Sequence, residues 1–299
     1  MSAPGRIALL FHRLIACGGY RQIAREARCA HTTVMGQAAR LGRHALLQLH
    51  HLRPRHALRE PLVIDGFESF AYSQYHPLHL NLAVGAESHF VYGFTHAELR
   101  RKGRLRPAQR RRRQALERRY GRPAPAALPD SVASLIRLAA PQPAALVIRS
   151  DAPPAYPRAF RRLHGWSIHH QCTPSIAART PGNPLFPVNL MDLLLRHNSA
   201  NHKRETIAFS KRHQAVVERA ALLILWRNFS KRFSENHGGG TPAMRAGLQD
   251  TPLGVEVLMR ERLFPSRVSL PTPWSEYYRR MVHTARIHNP RRHNLSLAF

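Results

Sequence analysis

The sequence predicts an α/β protein in which a helical N-terminal segment leads into a strand-rich middle and then a long helix. Three observations carry this. Apolar residues recur at helical spacing over residues 7–49, runs rich in Val, Tyr and Phe follow Pro61, and helical spacing returns over 188–235.

In the first segment, "YRQIAREARCAHTTVMGQAARLG" (20–42) has an apolar stripe of Ile23, Ala24 and Ala27. "RCA" then turns the chain, and Thr32 and Thr33 open a second helix carrying Val34, Ala38 and Leu41. This is a helix-turn-helix pattern. Such a motif presents the start of its second helix to the major groove, here His31, Thr32, Thr33 and Gln37, while Arg21, Arg25, Arg40 and Arg43 face phosphates. Periodicity alone equally allows two short helices in a small bundle.

After the basic, proline-marked linker "HHLRPRHALREP" (50–61), strands are expected at 62–70, 79–85, 89–94, 145–150 and 166–170. Between the third and fourth lies "LRRKGRLRPAQRRRRQALERRYGR" (99–122), with twelve Lys/Arg and one acid, Glu117. Such runs are usually solvated helix faces. The one-sided charge favours a phosphate-binding segment instead, with Arg110, Arg111, Arg112 and Arg113 at its centre. In the last helical region Val216, Val217, Ala220, Leu223, Ile224 and Phe233 fit a core face. From "HGGGTPAMRAG" onward the chain is punctuated by Gly and Pro. The implied division is 1–52 for DNA binding, 53–236 for catalysis with a basic insertion at 99–125, and a 237–299 extension.

Composition narrows the function. Against 46 Lys+Arg stand 17 Asp+Glu, a formal charge of +29, and 43% of the 299 residues are hydrophobic. A folded protein with that field attracts polyanions, nucleic acid first. An anionic membrane is the rival, but no apolar run reaches the ~18 residues of a span, and "IALLFHRLIAC" is broken by His12 and Arg13. Cys17, Cys29 and Cys172 are widely separated and form no C-x-x-C pair, which fits a reducing cytoplasm. None of the 20 histidines has partners at zinc-finger or H-E-x-x-H spacing. His197 and His202 flank an acid-bearing helix, where they either meet phosphate or are plain surface groups. An RNA-binding reading lacks an aromatic single-strand platform.

With so few acids, a metal site can be sought exhaustively. Phosphodiester chemistry commonly uses two Mg²⁺ about 4 Å apart, held by converging carboxylates. Asp65 is expected to end the first strand, in "LVIDGFESF". Asp151 closes "ALVIRSD" before the turn "APPAY", so two adjacent strands offer one site; either residue alone reads as a turn former or helix cap. Asp192 shares a helical face with Asn189, Arg196 and Ser199, leaving Leu190, Leu193 and Leu194 for burial. An ion pair with Arg196 is its plainer role.

"VIDGFESF", "VIRSDAPPAY" and "HKRETIAFSKR" before a long helix resemble the transposases of bacterial insertion sequences, of the type found in the smallest elements. The resemblance covers roughly residues 15–235. It implies a DDE-type, ribonuclease-H-like catalytic domain: a mixed sheet flanked by helices behind an N-terminal helix-turn-helix. Asp65 and Asp151 match its first two metal-binding acids. Counting back from Thr206, the family's Glu falls on Asn189, so either Asp192, one turn later, has taken that role or the site is altered. Glu205, with Lys203, Arg204, Lys211 and Arg212, belongs more naturally to a DNA-contacting stretch, and Glu68 is a candidate accessory acid. A second departure is N-terminal: relatives often carry a cysteine-rich zinc ribbon there, and the residues ahead of Tyr20 hold only Cys17.

The resemblance therefore implies two Mg²⁺, with Mn²⁺ as a substitute, held by Asp65, Asp151 and Asp192. The partner is double-stranded DNA, both element ends and target, bound by a homo-oligomer. Asn189 keeps a second reading open, a decayed transposase that binds DNA without cutting.

Overall fold

The computed structural model describes residues 4–54, 57–203, 206–234 and 239–284; Arg204 and Glu205 lie outside them. Helices α1 (Pro4–Ile15), α2 (Tyr20–Glu26) and α3 (His31–His51) come first. Strands β1 (Leu62–Phe70), β2 (Pro77–Gly85) and β3 (Val91–Glu98) then form an antiparallel meander. Next come α4 (Pro107–Tyr120) and α5 (Ala127–Ala139), then β4 (Ala145–Ser150), α6 (Ala155–Phe160) and β5 (Ser167–Cys172). Helix α7 (Phe186–Asn198), a 3₁₀ turn at Ala200–His202, and α8 (His213–Phe229) come after β5, then the short helices α9 (Pro242–Arg245), α10 (Val255–Arg260) and α11 (Trp274–Tyr278). The strands lie in the order β3-β2-β1-β4-β5, with β4 and β5 parallel to β1. A mixed five-stranded sheet of this order, flanked by helices, is consistent with the expected ribonuclease-H-like fold.

The period-2 alternation of β1 decides which layer covers each face. Val63 and Phe67 join the core built by α1, α3, α7 and α8, while Leu62 and Ile64 join the core under α5 and α6. Asp65 shares the first face and Gly66 the second. Asp65 is the fourth of nine strand residues, not the end of the strand as the sequence suggests, because Gly66 continues the ladder opposite Asn81.

The N-terminal helices share that first core, and α3 runs well beyond Leu41. At about 1.5 Å per residue its 21 residues span about 31 Å. Most of this length lies on α8. An added Cβ at Gly42 would stand 2.5 Å from the Glu218 carbonyl oxygen, so glycine is what lets the two backbones meet. Only the first turns of α3 leave His31, Thr32 and Thr33 in solvent. Arg219, 5% exposed, ties α8 to the α1–α2 connection by donating to the Leu14 carbonyl and lying over the Tyr20 ring.

Candidate acid site and nucleic-acid face

Residue pairing places the acids. In the parallel β1–β4 pair, Val63 stands opposite Arg149, so Asp65 within β1 and Asp151 just past the end of β4, each two residues further on, stand level on neighbouring strands. Helix α7 crosses over the same face of β1. The Arg196 guanidinium lies 4.5 Å from the centre of the Phe67 ring, and His202 meets Phe67 edge-on while its Nδ1 hydrogen-bonds the Ser69 hydroxyl at 3.1 Å. The buried stripe of α7 is Val188, Met191 and Leu195. Burial of Leu190, Leu193 and Leu194 is the expectation this corrects: Leu193 is 62% exposed, whereas Asp192 Oδ1, next to Met191, is buried.

Electrostatics ties the acids together. Burial pushes Asp65 up to about 6; the Gly66 N–H, donating at 2.6 Å, opposes this, the Asp151 charge adds to it, and Arg179 lowers it. Burial also pushes Asp192 up to about 8, with Asp65 raising it further and Arg196 and Arg179 pulling it down. Asp151 is raised by burial and lowered by His79 and His170. The buried Tyr156 hydroxyl of α6 is pushed well up by burial and then by Asp65, Asp151 and Asp192 together. All three carboxylates therefore act on one phenol, with Asp65 central.

Among the described residues, no group of three or more His, Cys, Asp or Glu side chains is arranged to hold a metal ion. The acids share a field rather than a finished coordination sphere. Two features nonetheless suit a hard cation. Asp151 Oδ1 and Asp192 Oδ1 are buried without a hydrogen-bond partner, and the charged forms are disfavoured, Asp65 by burial and by Asp151, Asp192 by burial and by Asp65, which a divalent ion would reverse.

One contributor was hidden in the sequence, His79 on β2. Its ring lies flat against Gly66, where an added Cβ would fall 1.6 Å from Cε1. Its Nδ1 is 2.9 Å from Asn81 Oδ1, and the Asn81 amide nitrogen donates to the Ser131 hydroxyl at 2.8 Å. That orientation of Asn81 makes His79 Nδ1 the N–H donor. Burial pushes the ring below the usual imidazole range, partly offset by the Asn81 hydrogen bond. The Gly that follows Asp65 was the available signal, since glycine within a strand marks a close approach.

The basic residues divide by environment. Arg21, Arg25, His31, Thr32, Thr33 and Arg40 are exposed on α2 and α3, and Gln37 is half-buried. Arg43 lies 4.7 Å over the Tyr278 ring, a packing role. Helix α4 buries none of its residues, and Arg110, Arg111 and Arg112 stand in solvent. Its only acid gathers three cations: Arg100 at 2.8 Å, Arg122 at 3.1 Å and Arg113 at 3.4 Å all reach Glu117. Arg113 also donates to the Arg101 carbonyl, so it anchors the helix. Lys203, Lys211 and Arg212 are exposed. His202 is 2% exposed and pushed down to about 3 by burial, so the surface or phosphate-contact roles weighed for it give way to a neutral core histidine.

No protein-family model and no curated protein matches the chain. Among solved structures, the chain is similar to part of the cryo-electron-microscopy structure of the simian T-cell lymphotropic virus intasome in complex with PP2A regulatory subunit B56 gamma. The identity is 14%, the match covers 88% of this chain and 78% of that one, and the TM-score is 0.29. A likeness that loose says nothing of function; the strand order and the acids stand on their own. No helix among the described residues is long and apolar enough to cross a membrane.

Proposed function

We propose that the protein is a DNA transposase of the DDE type, acting on phosphodiester bonds at Asp65, Asp151 and Asp192. The observation that supports this is the electrostatic coupling of three carboxylates raised by burial, all of which act on the Tyr156 hydroxyl, in a chain whose net charge is +29 and whose mixed sheet is consistent with a ribonuclease-H-like fold. Three carboxylates at such a site oppose the approach of a phosphate. The chemistry is sensible only with divalent cations, Mg²⁺ or Mn²⁺, held by these three residues and supplying charge neutralisation and an activated oxygen when bound.

The remaining residues position the DNA. Exposed Arg110, Arg111 and Arg112 of α4 contact backbone phosphates whatever the sequence, while His31, Thr32 and Thr33 at the start of α3 face base edges at the element's ends. Arg179 and Arg196 orient the reacting strand over the acids, and His79 holds its side of the site rigid. Asp192, through its coupling to Asp65, is supported as the third acid; Asn189 then lies one turn away on the same helical face. Single-turnover nicking of a duplex carrying the flanking inverted repeats tests the reading, with strand transfer as the second step.

The alternative, a protein that binds DNA but no longer cuts it, is favoured by one observation: among the described residues, the acids are not arranged in a ligand cluster. Intact duplex binding with no nicking in Mg²⁺ or Mn²⁺ would establish it.

A further inference from the structure

Beside the acids, on the α7 side of β4 and β5, lies a cavity of about 460 Å³. Its floor is Arg149 and Gln171, register partners on the two strands. Its walls are His89 in the β2–β3 turn, Phe186 at the start of α7, and the loop at Pro181–Pro184. The floor abuts the acid site, because Arg149 precedes Asp151 by two strand residues, about 7 Å. The loop carrying the wall also carries Arg179, the cation that acts on Asp65 and Asp192.

Its chemistry is selective. No Asp or Glu lines it, and Arg149 is the one fully charged group there. Arg149 Nε donates to Gln171 Oε1 at 3.1 Å, leaving the two Nη groups to meet an anion in parallel and the Gln171 amide nitrogen to meet an acceptor. The His89 and Phe186 rings, 6.0 Å apart, give the wall an aromatic character. Asn183 is occupied within the loop, donating to the Ala178 carbonyl and accepting from the Leu185 N–H, so it builds the wall without reading a ligand.

An anion-pairing guanidinium, an amide for a polar edge, and an aromatic wall, in a volume within the ~300–1,000 Å³ of small-ligand sites, match one molecular class. We propose that this cavity is a nucleotide subsite, holding one nucleotide of the DNA strand next to the bond at the acids, with its phosphate on Arg149 and its base between the loop and the His89–Phe186 wall. This rests on the transposase reading for the identity of the strand, though not for the pocket chemistry.

Direct binding to the full chain provides the test. Calorimetric titration in EDTA would compare a 5′-deoxymononucleotide with inorganic phosphate. The expected result is at least tenfold tighter binding of the nucleotide than of phosphate. Arg149→Gln should weaken nucleotide binding at least tenfold; Gln171→Ala, an exposed change, should weaken it at least threefold and serves if the first variant unfolds. Nucleotide binding less than tenfold tighter than phosphate binding, or nucleotide binding unchanged in a folded variant, overturns the proposal. Duplex binding, measured separately by anisotropy, distinguishes the failures: duplex binding without mononucleotide binding sinks the subsite alone, and mononucleotide binding without duplex binding sinks the transposase reading alone.

Discussion

Gly66→Ala tests the link between the sheet and the acid site at a single atom. The added Cβ would fall 1.6 Å from His79 Cε1, 2.1 Å from Nδ1 and 2.2 Å from Nε2, all far inside van der Waals contact. The ring cannot swing aside freely, because Nδ1 is bonded to Asn81, itself fixed to Ser131 in the buried layer under α5. Overpacking of this kind costs about 1–3 kcal/mol, and breaking the His79–Asn81 bond costs about 1 kcal/mol more. The expected loss is about 2–4 kcal/mol, read as a lowered urea midpoint at constant slope. In a His79→Ala background the obstacle is gone, and the same change should cost under about 1 kcal/mol, a coupling of about 2 kcal/mol in the double-mutant cycle. A Gly66→Ala cost below about 0.5 kcal/mol, or an equal cost in both backgrounds, would refute the account of why glycine follows Asp65.

Other perturbations have equally definite outcomes. In EDTA, Asp192 at about 8 and Asp65 at about 6 bind protons in the folded state that the unfolded chain has released. Stability should therefore fall as pH rises from about 4 through 8, by up to about 1.4 kcal/mol per pH unit for each group while it remains protonated only in the fold. Asp192→Asn should flatten this decline and exceed wild type at pH 8 by roughly 2–5 kcal/mol in urea unfolding; a variant with the wild-type pH profile contradicts the burial of that carboxylate. Replacing Arg110, Arg111 and Arg112 together with Ala should lower the slope of log binding constant against log salt by about three units, each lost phosphate contact counting about one. An unchanged slope returns α4 to a solvated helix. Glu117→Gln should release Arg100, Arg113 and Arg122 and speed hydrogen exchange across 100–122 without altering exchange in β1; unaltered exchange in α4 would show that Glu117 does not anchor it.

Periodicity carried much of the fold. The runs at 62–70 and 145–150 are the observed β1 and β4 to the residue, because both are apolar, β-branched and bounded by turns. The ends of the others shifted by up to four residues: β3 extends to Glu98, since its last residues alternate His96, Ala97 and Glu98 with no breaker to stop them. Asp65 and Asp151 could be read from strand-bound acids, since so few acids compete. Leu193 misled the reading of α7, because hydrophobicity alone cannot say which of several leucines on a helix faces the sheet. His79, Asn81 and Ser131 form a network across 50 residues of chain and left no local pattern. His202 looked like surface in an Arg/His-biased stretch and is core because Phe67 and Ser69 receive it.

The most direct test of the acid site is single-turnover nicking of an end-containing duplex in Mg²⁺ and in Mn²⁺ by wild type, Asp65→Asn, Asp151→Asn and Asp192→Asn, with duplex binding measured on the same samples. The account predicts that wild type nicks, that each amide variant loses nicking by at least a hundredfold, about 2.7 kcal/mol of barrier, and that all four bind DNA alike. A cutting Asp192→Asn, or a wild type that binds and never cuts with either ion, would contradict it.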